Sequence, residues 1–303
     1  MNRWNVTGLI IVGFITVIAI FGPLLAPFDL EHHVTPGFVT DGAGEQQYVA
    51  PPLPPDRTYW FGTDVFGYDI LTLMMHGAKY TLAAAFIVAL FRVVVGAGLG
   101  MIWGYYRKGK QRARTEGNLL SGIPMFVVVL FMMYGLSINS TLSPLTLTVL
   151  LGVVLVLLGL PAIISSTANK TRQIQEQQYV LASVALGAGD MRTLRYHILP
   201  QMKESLLILF LHELILTLTV FGQLGIFHIF VGGTLMQRDP VLFTSLTHEW
   251  AGMVGNAKGA IGPRDWIFLY PMLGYVTLIF GFFCVSKGME QSFRNRYHKV
   301  SQL

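Results

Sequence analysis

The sequence predicts an all-α, polytopic membrane protein with six transmembrane helices. Three observations carry this. Over 303 residues, 53% are hydrophobic, only 12% are charged, and the mean hydropathy is +0.55. Six apolar stretches each approach the roughly 20 residues that a helix needs to cross a bilayer. Lysine and arginine gather in alternate connections between those stretches, as they do where cytoplasmic loops alternate with external ones. A soluble domain of this size rarely has so few charges.

The first expected helix is Val6–Leu25. An N-terminal apolar run preceded by Arg3 could be a secretory signal, but it is too long for one, and Pro23 and Pro27 follow it without a small-x-small cleavage site. Residues 1–25 are therefore read as a retained transmembrane helix and 26–78 as an extracytoplasmic loop. Within that loop Ala50-Pro51-Pro52-Leu53-Pro54-Pro55 must be extended or turn-like, because each proline fixes φ and lacks an N–H. Asp69–Gly77 is apolar enough for a short helix lying at the membrane interface. The second and third spans are expected at Tyr80–Trp103 and Leu119–Ile138, and the fourth at Leu145–Ile164. The fifth, Leu206–Val231, is followed by a glycine-rich external loop, Gly232–Asp265, placed to cover the outer mouth of the bundle. The sixth, Trp266–Ser286, leads to a tail at 288–303.

Basic residues orient the bundle. Arg107, Lys108, Lys110, Arg112 and Arg114 follow the second helix; Lys170, Arg172, Arg192, Arg195 and Lys203 follow the fourth; Lys287, Arg294, Arg296 and Lys299 follow the sixth. With Arg3 they put both termini in the cytoplasm, whereas the opposite side holds only Arg57, Arg238, Lys258 and Arg264. The net charge of +5 and pI near 9.3 suit anionic membrane lipid rather than nucleic acid, because the charges sit at helix ends and not on one folded face. The lone Cys284 can form no disulfide within the chain.

The connection at 169–203 is far longer than the roughly 2 to 8 residues usual in a bundle. Its centre, YVLASVALGAGDMRTLRYHILP from Tyr179 to Pro200, is a polar insert between apolar runs. Good helix formers run from Gln175 to Leu186 with Tyr179, Ala182 and Leu186 on one face. Gly187 and Gly189 break that helix, Asp190 is placed to cap a second short helix running to His197, and Leu199-Pro200 ends it. The result is a helix–turn–helix elbow on the cytoplasmic side, able to enter a partner's groove; the alternative is a solvated amphipathic hairpin.

This stretch resembles the EAA loop of permease subunits of binding-protein-dependent ABC importers. That pattern is Glu-Ala-Ala, three residues, Gly, nine residues, an aliphatic, one residue, then Leu-Pro. Ala182, Gly187, Leu199 and Pro200 match in register, while Leu181, Ser183 and His197 depart from it. A second segment, Gly62-Thr63-Asp64-Val65-Phe66-Gly67-Tyr68-Asp69, is similar to the Gly-Thr-Asp-x-x-Gly-Arg-Asp run of the C-type subunit in the oligopeptide/dipeptide (and nickel) permease branch. Tyr68 and Leu73 stand where that branch has arginines, and Lys79 keeps only a charge. The similarity extends from Phe61 to Phe293.

The resemblance implies the type I importer fold, with a permease domain at 79–287, and a half-channel in the cell membrane that has no chemistry of its own. It implies a second homologous permease subunit, two ATP-binding subunits that grip the elbow and hold the only ATP and magnesium, and an extracytoplasmic solute-binding protein. No cofactor or metal is expected in this chain. The elbow residues Tyr179, Ala182, Ser183, Gly187, Asp190, Leu199 and Pro200 would couple ATP-driven closure to rotation of the helices. If the family glutamate makes a polar contact with the ATPase, Leu181 in its place implies either seating by shape and apolar contact or a partner that has changed too. Peptides are the expected cargo; nickel chelates, other small solutes, or a non-transporting scaffold or sensor role are the alternatives.

Ionisable groups inside a bilayer are costly and mark function. Arg92 shares a helical face with Ala85, Ala89, Gly96 and Gly100, which let another helix come close. Glu213 lies roughly 12 Å and Arg92 about 16 Å from the cytoplasmic ends of their expected spans, at about 1.5 Å per residue. They either pair, or Arg92 faces the pathway toward a carboxylate-bearing substrate, or Arg92 bonds to helix carbonyls or snorkels while Glu213 is protonated. The Gly96–Gly100 run lacks the preceding strand of a phosphate loop. His32-His33 and His248-Glu249 lack zinc spacing, and His212 and His228 read as core groups of the fifth helix. A gradient-driven transporter would need inverted repeats and interrupted helices, which the sequence does not display.

Overall fold

The computed structural model of the chain describes residues 2–40, 46–107, 122–239 and 241–300. The basic run Lys108, Lys110, Arg112 and Arg114 and the first residues of the third expected span lie outside the described residues, as do the side chains of Arg296 and Lys299. The helices in chain order are α1 (Arg3–Leu25), α2 (Ile70–Tyr106), α3 (Met125–Ser137), α4 (Pro144–Gln175), α5 (Gln178–Ala185), α6 (Asp190–Thr193), α7 (Leu199–Ile226), α8 (Trp250–Asn256) and α9 (Trp266–Val300). A π turn, Leu194–Ile198, joins α6 to α7.

Among the described residues, five helices are long and apolar enough to cross a membrane: α1, α2, α4, the continuous Asp190–Ile226 and α9. The third expected span appears as α3, which has 13 residues and is about 20 Å long at 1.5 Å per residue.

Lipid tails are as apolar as leucine, so helices in a bilayer associate through close packing rather than the hydrophobic effect. The glycines provide it. A Cβ on Gly100 would stand 2.7 Å from the Ile164 carbonyl oxygen, and one on Gly104 would stand 2.5 Å from that of Ala168, so α2 and α4 touch nearly backbone to backbone. Gly8 of α1 meets Val285 and Gly281 of α9 in the same way. The core between α2, α3, α4, α7 and α9 is filled by side chains such as Val88, Val129, Leu155, Leu218, Phe221 and Leu278. Cys284 is buried with them.

These contacts orient the helices. Gly22, near the end of α1, lies against Met75 at the start of α2, and Asn2 hydrogen-bonds Gln291 near the end of α9. The start of α1 and the end of α9 therefore lie at the same end of the bundle as Tyr105, at the end of α2, and the α5–α6 elbow, whose Asp190 carboxylate Tyr105 meets. The opposite end carries two small antiparallel sheets, β1 (Gly37–Thr40) with β2 (Gln46–Val49) and β3 (Thr234–Arg238) with β4 (Val241–Ser245).

Several elements differ from expectation. Asp69–Gly77 is not a separate interfacial helix: the Asp69 carboxylate accepts the Thr72 N–H at 2.8 Å and starts α2, which runs unbroken from Ile70. Ile70, Leu73 and Met74 are buried, because α8 and the His248 carbonyl close over Gly77. The fifth span ends at Ile226, and the sixth continues as helix beyond Ser286 through the expected tail. The two hairpins escaped notice because their strands are only 4 or 5 residues long, too short for a period-two pattern to stand out.

Candidate functional site

The elbow is a compact unit with its own small core. Val180, the one buried residue of α5, packs with Tyr105, Ile174, Leu194, Ile198 and Met202. Gly187 adopts φ +91, a left-handed conformation that reverses the chain between α5 and α6. Asp190 is not the cap of the second helix. Gly189 takes that place without a side-chain bond, and Asp190 instead accepts the Tyr105 hydroxyl at 2.9 Å, fastening the elbow to α2.

Leu199-Pro200 does not end the helix either. Proline lacks an N–H and its ring collides with the carbonyl four residues back. The π turn absorbs this: the Leu199 N–H reaches the Leu194 carbonyl, five residues back, and the helix passes into α7 without interruption. α6 and α7 are thus continuous through the π turn.

Two departures from the EAA pattern compensate one another. Ser183 on α5 and His197 in the π turn face each other with Oγ and Nε2 3.0 Å apart, so the two polar side chains satisfy one another. The third departure, Leu181, is 55% exposed, in company with Tyr179, Val184, Leu186, Met191 and Tyr196. Leu186 is 89% exposed. The exposed surface of the elbow is therefore rich in large apolar side chains, with Arg192 and Arg195 exposed among them. Ala182 is exposed beside them.

Within the bundle, Arg92 is completely buried and joins four helices. Its Nη1 meets Glu213 Oε2 of α7 at 3.0 Å, Nε and Nη2 donate to the Leu155 carbonyl of α4 at 2.9 and 2.6 Å, and Nη2 approaches Met125 Sδ of α3 at 3.4 Å. Gly159 makes room, since a Cβ there would stand 2.5 Å from Arg92 Nε. Pairing and carbonyl binding, posed as alternatives from sequence, thus occur together. Gly159, Leu155 and Met125 were missed; their only trace is a glycine one turn after Leu155 in an apolar helix. The neighbouring His212 is not a core group. It is 54% exposed, with Nε2 3.5 Å from Glu290 of α9. His228 lies beyond the end of α7, its ring stacked 3.9 Å from that of Phe243.

At the far end, Gly62, Thr63, Asp64, Gly67 and Asp69 form a brace. Gly62 (φ +73) and Gly67 (φ +88) turn the chain where Leu53 and Val34 press against them. Thr63 Oγ1 accepts the Leu53 N–H at 2.8 Å, and Asp64 Oδ1 accepts those of Phe66 and Tyr68, both at 2.9 Å. Burial pushes the Asp64 carboxyl up to about 6, against the pull of these N–H groups. Tyr68, at the family's arginine position, tilts over His33 with ring centres 5.4 Å apart. Glu249, considered from sequence only as a metal ligand, caps α8 through the Ala251 N–H at 2.8 Å, and burial pushes its carboxyl up to about 7. Among the described residues, no cluster of three or more His, Cys, Asp or Glu is placed to hold a metal.

The described residues thus form a bundle of apolar, membrane-length helices with a folded helical elbow at one end. Comparison with known proteins carries this further. Residues 96–292 match the binding-protein-dependent transport system inner membrane components, and residues 1–55 match the N-terminal transmembrane domain of oligopeptide transport permease C. The chain belongs to this family of permeases, whose ATP hydrolysis resides on separate subunits. It is 25% identical to the dipeptide transport system permease protein DppC of Alkalihalophilus pseudofirmus over 96% of this chain and 85% of the relative. It is also 25% identical to DppC of Haemophilus influenzae, over 96% and 90%, and 24% identical to the oligopeptide transport system permease protein OppC of Bacillus subtilis, over 98% and 87%.

Proposed function

We propose that this chain is the C-type permease subunit of a peptide importer, one half of a channel completed by a second homologous permease subunit. In this reading two ATP-binding subunits seat against the elbows, magnesium and ATP reside there alone, and an extracytoplasmic solute-binding protein delivers the cargo. The elbow end is cytoplasmic, with both termini. Aromatic and basic side chains meet at that end, Lys287 4.7 Å over Trp4 and Arg107 4.7 Å over Trp103, as suits the inner headgroup layer. In this reading α3 joins the five longer helices as the sixth membrane helix. Peptides are favoured as cargo because DppC and OppC align with nearly the whole chain.

The observation that carries the mechanism is the unbroken Asp190–Ile226 helix. ATP-driven closure of the partner subunits displaces the apolar face around Leu186; α6 and the π turn convey that stroke to α7, which rotates against α2 and α4 and reopens the pathway on the other side. Reconstitution with the partner subunits tests this. Peptide-loaded binding protein should stimulate ATP hydrolysis. A scaffold would bind the ATPase without stimulation, and a nickel transporter would respond to chelates and not to peptides.

A further inference from the structure

A cavity of about 500 Å3 opens at the end opposite the elbow, walled by the outer brace, β4, α8 and the start of α9. Its lining is unusual in two respects. Among the described residues, only three that are not glycine adopt a left-handed backbone, and two of them, His228 (φ +58) and His248 (φ +51), line this cavity. The third, Asn139, is bonded through its side chain to both backbone groups of Met236. A left-handed backbone costs about 1–2 kcal/mol without glycine and persists where the surroundings hold it, often at working sites. In addition, the Nδ1 of His228 is buried and, among the described residues, has no hydrogen-bond partner.

The charges are also unbalanced. Lys258 and Arg264 stand exposed on one wall, and Arg264 makes no ion pair among the described residues. Lys258 donates to the Ile226 carbonyl at 2.7 Å. The carboxylate of Asp64 faces the same cavity, but its Oδ1 is committed to two backbone N–H groups. Burial, and then Lys258, push His228 down to about 4; burial, and then His76, lower His248. Both imidazoles are neutral near pH 7, so the charges of the cavity are the two cations and the hydrogen-bonded Asp64 carboxylate, with one positive charge in excess. The rest of the wall is largely apolar, with Phe243 stacked on His228 and Thr244, Ser245 and Asn256 as its neutral polar groups.

We propose that this cavity binds a carboxylate borne on an apolar or aromatic body, its charge met by Lys258 and Arg264 and its body held against Phe243 and His228. The proposal rests on the importer reading, in which this end is extracytoplasmic. Two sources carry that chemistry: the C-terminal residue of an arriving peptide, and an acidic side chain of the solute-binding protein.

The test uses the complete permease–ATPase complex in nanodiscs, with N-acetylphenylalanine and N-acetylphenylalaninamide as probes followed by saturation-transfer NMR. The acid should bind saturably and the amide at least tenfold more weakly. The exposed double variant K258Q/R264Q should reduce the acid to the level of the amide while basal ATP hydrolysis persists. Equal binding of acid and amide, or undiminished binding of the acid by the variant, overturns the proposal. Persistent basal hydrolysis separates that failure from failure of the importer reading, which would show no ATPase in the complex at all. Given the expected result, a tenfold loss of binding-protein attachment in the variant assigns the acid to that partner, and undiminished attachment assigns it to the peptide.

Discussion

Replacing Glu213 with leucine strands the guanidinium of Arg92 inside the bundle. Arg92 is 0% exposed and Glu213 13%, so solvent screens the pair little, and no other carboxylate reaches Arg92 among the described residues. The two bonds to the Leu155 carbonyl and the contact with Met125 remain, yet they supply dipoles and not charge. Breaking a buried pair by removing one partner costs about 3–5 kcal/mol, whereas replacing both partners with apolar groups of similar volume is often neutral. Glu213→Leu and Arg92→Met should therefore each destabilise by about 3 kcal/mol or more. The double variant should recover at least about 2 kcal/mol of their sum, since contacting residues couple by up to about 3. Unfolding in mixed micelles by SDS titration, followed by circular dichroism, measures all four corners of the cycle. The reasoning fails if Glu213→Leu alone matches the wild type, or if the two changes add within about 0.5 kcal/mol.

Other predictions follow from the packing and the titrating groups. Gly104→Val drives a side chain against the Ala168 carbonyl and should cost about 1–3 kcal/mol or abolish expression, as judged by detergent-solubilised yield and melting temperature. Gly187→Ala meets open space but must hold φ +91, so the same melting assay should register only about 1–2 kcal/mol. Leu186→Asp should leave stability within about 0.5 kcal/mol while abolishing co-purification with the ATPase subunit. Glu249 protonates more readily when folded, at about 7 against 4.5, so the folded state binds the extra proton and stability should fall as pH rises from about 4.5 to 7. Glu249→Gln should flatten that slope by an amount on the order of 3 kcal/mol across the window; an unchanged slope in the variant places the titration elsewhere.

The long apolar stretches, the elbow and the small-residue face around Arg92 were legible in the sequence because each rests on local pattern. Span length, glycine breaks and helical spacing need no knowledge of neighbours. What escaped depends on tertiary contact. Asp190 looks like a helix cap until Tyr105 arrives from α2 to take its carboxylate, and Leu199-Pro200 looks like a stop because the π turn that accommodates it leaves no mark on composition. Ser183 and His197 read as two separate departures from a pattern, although they are one bridge. The start of α2 was placed ten residues late because Asp69–Gly77 reads as a separate interfacial helix, whereas Gly77 lies inside α2 and admits the His248 carbonyl.

In the proposed mechanism the exposed apolar side chains of the elbow dock on a motor subunit and drive α7. Photo-crosslinking from benzoylphenylalanine placed at Leu186 or Met191, with Trp60 at the opposite end as the control position, tests it most directly in membranes containing the whole complex. Both elbow positions should give adducts with the ATP-binding subunit, altered by ATP, and position 60 should give none. Elbow probes that capture only lipid or water, in a complex that still hydrolyses ATP in response to substrate, would contradict it.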